Sequence, residues 1–232
     1  MASEAPRRLI IAIDGPAGAG KSTIARSLAK RLGFTYIDSG AMYRAVALWA
    51  LRSGIDLGDH DRLAQLARNA RIEFAQGGAR VLLNGEDVST AIREPQVTVA
   101  ASKVSIASGV RKAMREEQQR IGAMQSVVME GRDIGTVVFP EAQVKIFLDA
   151  APEVRAGRRT AELIGKDGSA NVEKVAQEMQ ERDQRDRTRR EAPLTQAPDA
   201  EYLDSTSLTP QQVEEAILKL VRQRTSNGKE LH

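Results

Sequence analysis

"LIIAIDGPAGAGKST", residues 9–23, runs an apolar stretch, a glycine-rich octet and the opening of an amphipathic pattern together in fifteen residues. Leu9 to Ile13 carry no polar side chain, which suits a strand buried on both faces of a parallel sheet. From Ser22 the apolar positions Ile24, Leu28 and Leu32 recur every four residues and Gly33 supplies a stop, so a helix follows. The octet between them, "GPAGAGKS" (Gly15 to Ser22), satisfies G-x-x-x-x-G-K-[ST]. Glycines let backbone N–H groups turn inward around phosphate oxygens, and the helix N-terminus adds partial positive charge. Lys21 then reaches the β and γ phosphates, and Ser22 can ligate Mg²⁺. Strand before and helix after make a chance glycine-rich turn a poor account of this octet. It predicts a nucleoside triphosphate and leaves GTPase, helicase, transport ATPase and small-molecule kinase all open.

Outward from the loop, α/β alternation continues. "FTYID" (34–38) reads as a strand, and "AMYRAVALWALRSG" as a helix with Met42, Val46 and Trp49 at helical spacing and Gly54 ending it. The middle breaks the rhythm: "ARIEFAQGGARVLLNGEDV" holds strand-like runs, a Gln-Gly-Gly turn and Asn84-Gly85, the dipeptide suited to a type I′ hairpin. A small antiparallel sheet inserted between helices is expected there. Val97, Ala101 and Val104, then Val110, Met114 and Ile121, keep helical periods around it. "SVVM" before Glu130 and "VKIFLDA" (144–150) are further apolar strands. A helix begins near Pro152, "IGKDGSAN" interrupts it as a loop, and a long helix runs from about Val172. "EAPLTQAPDA" reads as a loop and "YLDS" as a last short strand. Thr209-Pro210-Gln211-Gln212 reads as a capping box opening the final helix.

Composition bounds the function. At 41% hydrophobic, 232 residues can bury a proper core, and a net charge of +3 does not mark a dedicated nucleic-acid binder. Aromatics, at 3%, are too few for a base-stacking platform. The absence of cysteine removes disulfides and thiol chemistry and fits a reducing compartment, so a cytoplasmic chain without a membrane segment is expected. The 25 arginines against 9 lysines are lopsided toward the side chain that grips phosphate bidentately, although genomic base composition produces the same bias.

Where the arginines stand matters more. Val172, Val175 and Met179 mark an inward stripe on the long helix, and stepping on by three or four gives Arg182, Asp186 and Arg189 within "RDQRDRTRR" (182–190). Charges on such a line need partners, which a bound phosphate or an Arg182–Asp186 pair would supply. Arg185, Arg187 and Arg190 fall off the line and should be solvated. Arg155 and Arg159, one turn apart, either fold over a triphosphate or are surface charges. Glu130-Gly131-Arg132-Asp133 follows a strand, where α/β sheets bind ligands, and Arg132 either meets a second anion or pairs with Asp133. "DSGAMYR" (38–44) lies just beyond the second strand, and Asp38 or Ser39 could cap the helix there.

"IDGPAGAGKST", "DSGAMYRAVA", "EGRDIGTVVFPEA", "KIFLDA", "ERDQRDRTR" followed by "APL", and "LDST" together, in this order over residues 9 to about 221, resemble bacterial cytidylate kinases of the nucleoside monophosphate kinase group. The resemblance implies an α/β fold: a three-layer P-loop kinase with a central parallel sheet, an inserted monophosphate-binding region carrying a small antiparallel sheet, and a short lid. Its core would cover about 9–38, 126–153 and 180–221, the monophosphate region about 39–125 and the lid about 154–179, with 1–8 and 222–232 as frayed tails. It implies ATP as donor with Mg²⁺, and CMP or dCMP as acceptor, in a monomer. Gly15, Pro16, Ala17, Gly18, Ala19, Gly20, Lys21, Ser22 and Thr23 would bind ATP, with Arg155 and Arg159 in the lid. Ser39, Arg44 and Arg132 would hold the CMP phosphate; Ser102, Arg111, Asp133 and Arg189 would read cytosine, and Asp186 the ribose. Arg182 would bridge toward the transferred phosphoryl, so Lys21, Arg132 and Arg182 form the catalytic set. Ser22 would bind Mg²⁺ directly and Glu130 through water; relatives that carry Asp at the latter position make Glu130 a departure. A kinase for UMP or for a hydroxyl acid is the alternative.

Overall fold

In a computed structural model that describes residues 8–167 and 171–226, β1 (Ile10–Asp14) leads through the glycine loop into α1 (Lys21–Leu32). β2 (Thr35–Asp38) and α2 (Ser39–Arg52) follow. Next come α3 (His60–Asn69), β3 (Ile72–Ala75), β4 (Arg80–Leu83) and β5 (Glu86–Asp87). A 3₁₀ turn at Ala91–Arg93 precedes α4 (Pro95–Val104), α5 (Ser108–Met124) and β6 (Val127–Gly131). A π-helical turn, Ile134–Val138, leads to β7 (Val144–Asp149), α6 (Pro152–Asp167), α7 (Val172–Thr188), β8 (Glu201–Asp204) and α8 (Pro210–Ser226).

Strands β1, β2, β6, β7 and β8 form one parallel sheet in the order β2-β6-β1-β7-β8. Central β1 and β6 are buried almost throughout, as the unbroken apolar runs require. Lys145 is the exception inside apolar β7. Its stem lies in the core, and its ammonium donates to the Pro140 carbonyl and to both oxygens of Asp199, which satisfies the charge.

The described chain divides into two compact units. The first comprises the chain up to Ile10 together with Ala29–Met129. In it α2 packs on α4 and α3 on α5, and β3-β4-β5 form the expected antiparallel sheet. Asn84 (φ +52°) and Gly85 (φ +87°) both take the left-handed conformation a type I′ turn demands, pairing Leu83 with Glu86. The second unit, Ile11–Leu28 and the chain from Glu130 on, pairs β1 with β7 and β7 with β8 and packs α6 on α7. The capping box is reciprocal: Gln212 N–H donates to Thr209 Oγ1 at 3.2 Å, and Thr209 N–H to Gln212 Oε1 at 2.9 Å.

Four expectations need correcting. α3, "HDRLAQLARN", lies where no helix is expected; Leu63, Ala64, Leu66 and Ala67 bury only its short apolar face. α6 continues through Ile164 to Asp167, into the segment expected to be a loop; one glycine, Gly165, is tolerated inside a helix at about 1 kcal/mol. Residues 168–170 of that expected loop lie outside the described residues. Val172 is 56% exposed rather than inward, because it opens α7 immediately after the Asn171 cap and the buried stripe starts one turn on, at Val175. α8 runs to Ser226, beyond the expected end of the folded chain at 221, and residues 227–232 lie outside the described residues.

Candidate active site

The glycine loop leaves β1 at Gly15 with φ +148°, and a Cβ there would lie 1.9 Å from the Leu148 carbonyl oxygen of β7. Only glycine lets the chain pass this close to the neighbouring strand. At Gly18 (φ +74°) a Cβ would meet the Arg155 carbonyl oxygen at 2.7 Å and Met179 Cε at 2.8 Å, so α6 and α7 crowd the loop from one side. Ser205 closes it further along, donating from Oγ to the Ala19 carbonyl at 3.2 Å. α1 then begins at Lys21 with Ser22 and Thr23 exposed at its first turn, so its unpaired N–H groups are available to an anion.

Lys21 is buried, and its ammonium donates to the Pro16 carbonyl at 2.6 Å across the loop. Burial and the neighbouring Arg132 push its pKa down to about 7, Arg182 adding to the push, while Glu130 and Asp14 pull the other way. Lys21, Arg132 and Arg182 therefore gather with Glu130 and Asp14 at the carboxyl ends of β1 and β6, with Asp186 and Asp183 acting on Arg132 as well. Ammonium and guanidinium groups collected beside a glycine loop are donors of the kind that bind a phosphate chain.

Arg132 leaves the end of β6 and donates from Nε to Asp186 Oδ2 at 2.8 Å and from Nη1 to the Gly131 carbonyl at 3.2 Å. Burial would raise the Asp186 pKa, but Arg132, Arg182 and Arg189 together hold it below its ordinary value. Arg189 lies 3.8 Å from Asp186 Oδ1 and 3.5 Å from Asp133 Oδ1, and donates from Nε to the Ala192 carbonyl at 2.6 Å. Arg132 pairs with Asp186, and Asp186 answers to Arg189 and Arg182 as well. Arg182 is half-buried, and Arg185, Arg187 and Arg190 are exposed as expected.

Two acids that hold this arrangement do not stand out in the sequence. Asp14, the last residue of β1, is buried and accepts from the N–H groups of Ile134 and Gly135 at 2.8 and 2.7 Å. Asp183 is buried and takes the Arg155 guanidinium. A signal for Asp183 does exist, since Val175, Met179 and Asp183 follow a strict four-residue step and all three are buried on α7. Arg155 is itself buried and also donates to the carbonyls of Ala150 at 2.9 Å and Ala17 at 3.1 Å. Arg159, one turn along, is about a third exposed and pairs with Glu162 at 2.8 Å.

The first unit carries the other residues singled out. Asp38 caps α2, accepting from Ala41 N–H at 2.9 Å, and pairs with Arg44 at 2.8 Å. Burial would raise the Asp38 pKa, but Arg44 and the cap bond hold it below its ordinary value. Ser39 beside it is buried. Arg111 is buried, with its guanidinium 5.8 Å from the centre of the Tyr43 ring and Nη1 donating to the Ser105 carbonyl at 3.5 Å. Ser102 is half-buried, and its carbonyl accepts from Ser105 Oγ at 3.0 Å.

A glycine loop shaped for phosphates, with its lysine set among arginines and acids at the carboxyl ends of parallel strands, places the chain among the P-loop nucleotide-binding proteins. Comparison with known proteins narrows that class. Residues 11–223 match the sequence profile described as cytidylate kinase. Among similar proteins, the cytidylate kinase of Solibacter usitatus (strain Ellin6076) is 60% identical over 232 residues, covering 99% of each chain. That of Citrifermentans bemidjiense is 50% identical over 222 residues, covering 95% of each. That of Pasteurella multocida (strain Pm70) is 48% identical over 218 residues, or 93% of this chain and 96% of the other. The chain belongs to the cytidylate kinase family.

Proposed function

We propose that the chain transfers the γ-phosphoryl group of ATP to CMP or dCMP, giving ADP and CDP or dCDP. The observation that carries this reading is the buried neighbourhood of Lys21, where Arg132 and Arg182 stand beside the phosphate loop. It agrees with the family of the chain and with the names of its relatives. Lys21 and the backbone of Gly15–Thr23 grip the donor phosphates. Arg132, Ser39 and Arg44 take the acceptor phosphate, and Arg182 follows the moving phosphoryl group. Asp133 and Arg189, with Ser102 and Arg111, read the cytosine edge, while Asp186 takes the ribose. The segment 39–125 serves as the acceptor region and 154–179 as the lid, with Arg159 turning toward ATP.

The acceptor phosphate is its own nucleophile. One of its oxygens forms a bond to the γ phosphorus as the bond to the β–γ bridging oxygen breaks, so ADP leaves and no enzyme-bound phosphate forms. Catalysis is alignment of the two phosphates and compensation of charge that moves between oxygens. The buried position of Lys21 strengthens that compensation, because a low local dielectric raises the worth of each cation. Ser22, exposed at the first turn of α1, and buried Glu130 offer hard oxygens that fit Mg²⁺, an ion that takes most of its ligands from water and phosphate. When bound, Mg²⁺ would neutralise charge on the β and γ phosphate oxygens.

The reading includes a monomer working on free nucleotides in the cytoplasm, without nucleic acid. Among the described residues no helix is long and apolar enough to cross a membrane. A coupled assay of ADP release, with ATP and Mg²⁺ plus CMP, dCMP, UMP, AMP, GMP, shikimate or gluconate in turn, tests it. CMP and dCMP should lead; a hydroxyl acid as best acceptor would replace this reading with the alternative.

A further inference from the structure

We propose that Asp183 is a positioning residue for the donor: through Arg155 it ties α6 and α7 to the apex of the glycine loop and presets that loop for ATP. The inference rests on the reading of Gly15–Ser22 as the ATP-binding loop. Both polar groups of one apex residue, Ala17, end on the same ion pair. The Ala17 N–H donates to Asp183 Oδ1 at 3.4 Å, and the Ala17 carbonyl accepts from Arg155 Nη1 at 3.1 Å, while Arg155 Nη1 also binds Asp183 Oδ2. Arg155 is anchored from behind by Nε donating to the Ala150 carbonyl at 2.9 Å and by Asp149 at 3.6 Å, both at the end of β7. Its guanidinium is therefore spent on the loop's support.

Packing points the same way. Ala156 of α6 and Val175 and Met179 of α7 form one buried cluster, against which Ala17 packs. Gly18, next in the loop, has no room for a Cβ because Met179 and the Arg155 backbone are already there. A loop that must aim several N–H groups at phosphate oxygens loses affinity if its apex wanders, since ordering it would then fall on the binding step. Buried salt bridges of this kind fix one arrangement rather than add much stability, and they suit a part whose job is position. The tether also divides labour along α6: Arg155 is fixed at its base, and Arg159, a third exposed, is the arginine placed to move with a lid.

The test uses the full chain with Asp183→Asn, which keeps the volume and removes the charge, and Arg155→Lys, which keeps a charge for Asp183 but not the fork that also reaches Ala17 and Ala150. Calorimetry reads the Kd of a non-hydrolysable ATP analogue with Mg²⁺, and amide hydrogen exchange reads the Ala17 N–H in nucleotide-free protein. Asp183→Asn should raise the Kd by about ten- to hundredfold, the range for bonds to a charged group. Ala17 exchange should accelerate while the amides of β7 and β8 hold their wild-type rates. Unchanged ATP-analogue affinity in folded protein overturns the proposal, as does acceleration spread evenly over β7, β8 and the loop, which marks a merely structural salt bridge. Should Asp183→Asn not fold, Arg155→Lys is measured in the same two ways, and the same results support or overturn the tether. Neither measurement needs CMP, so a wild type that binds the ATP analogue but makes no CDP would strike the acceptor assignment and not the tether.

Discussion

Asp14 and Gly135, 121 residues apart in the chain, are joined by a 2.7 Å bond from the Gly135 N–H to a buried carboxylate, and Ile134 donates to the same group. The carboxylate stands at the root of the phosphate loop and the two N–H groups directly follow Asp133, so one acid fastens the donor loop to the segment assigned to the acceptor base. Burial raises its pKa from 3.8 to about 6 against the pull of those two bonds. A group whose folded pKa is raised favours the folded state most at low pH, and that contribution is lost as pH climbs from 3.8 through 6. The rise is equivalent to about 3 kcal/mol. Urea unfolding at pH 4 and pH 7 should therefore show the wild type losing about 2 kcal/mol across that interval relative to Asp14→Asn, most of the full shift. Parallel pH profiles for the two proteins would refute the assignment.

Lys21→Ala should reduce kcat by at least about a hundredfold, the usual cost of deleting a donor aimed at developing charge. The protein should stay folded, because the lysine is held by one carbonyl bond and its charge is a burden among Arg132 and Arg182. Single-turnover kinetics with ATP and CMP, alongside circular dichroism, separates lost chemistry from lost structure; near-normal turnover would contradict the role.

Asp133 and Arg189 lie 3.5 Å apart with side chains largely buried, one an acceptor and the other a donor, which suits the mixed edge of cytosine. Asp133→Ala should narrow the kcat/KM preference for CMP over UMP by at least about tenfold, since a site built to pair a polar edge discriminates by leaving it unpaired. ATP-analogue affinity should hold. An unchanged CMP to UMP ratio would remove Asp133 from the base site.

Much of this is legible in the sequence where the information is local. The phosphate loop, the Asn84-Gly85 turn and the Thr209–Gln212 box each depend on residues within a few positions, and each forms as its residues dictate. Arg182, Asp186 and Arg189 emerge through helical spacing, because a core-facing line that turns polar is visible in one dimension. Asp14 escapes it for the opposite reason: its partner Ile134 stands 120 residues away, and no spacing rule announces a carboxylate that serves a distant backbone. Asp183 lies on the four-residue step from Val175 and Met179, but its partner Arg155, 28 residues away, is not announced by that step. The same blindness misplaces Val172, whose apolar side chain fits the stripe but whose position at the first turn of α7 leaves nothing for it to cover.

The Arg132–Asp186 pair should behave as the reverse of Asp14. Both side chains are largely buried, and removing the acid leaves the Arg132 cation with one carbonyl bond, to Gly131, and no direct ion pair among the described residues, although Asp183 and Glu130 stand farther off. Asp186→Asn should therefore destabilise the nucleotide-free protein by about 3–5 kcal/mol at pH 7, the range for breaking one side of a buried ion pair. The Asp186 carboxyl is held below its usual 3.8, so its contribution is present above that value and lost as pH falls through the folded value. The stability gap between wild type and variant should thus be constant from about pH 5 to 8 and close in acid. Denaturant unfolding across that series distinguishes the outcomes: a gap that shows no narrowing as pH falls below 3.8 would mean the loss comes from packing at α7 rather than from the charge on Asp186.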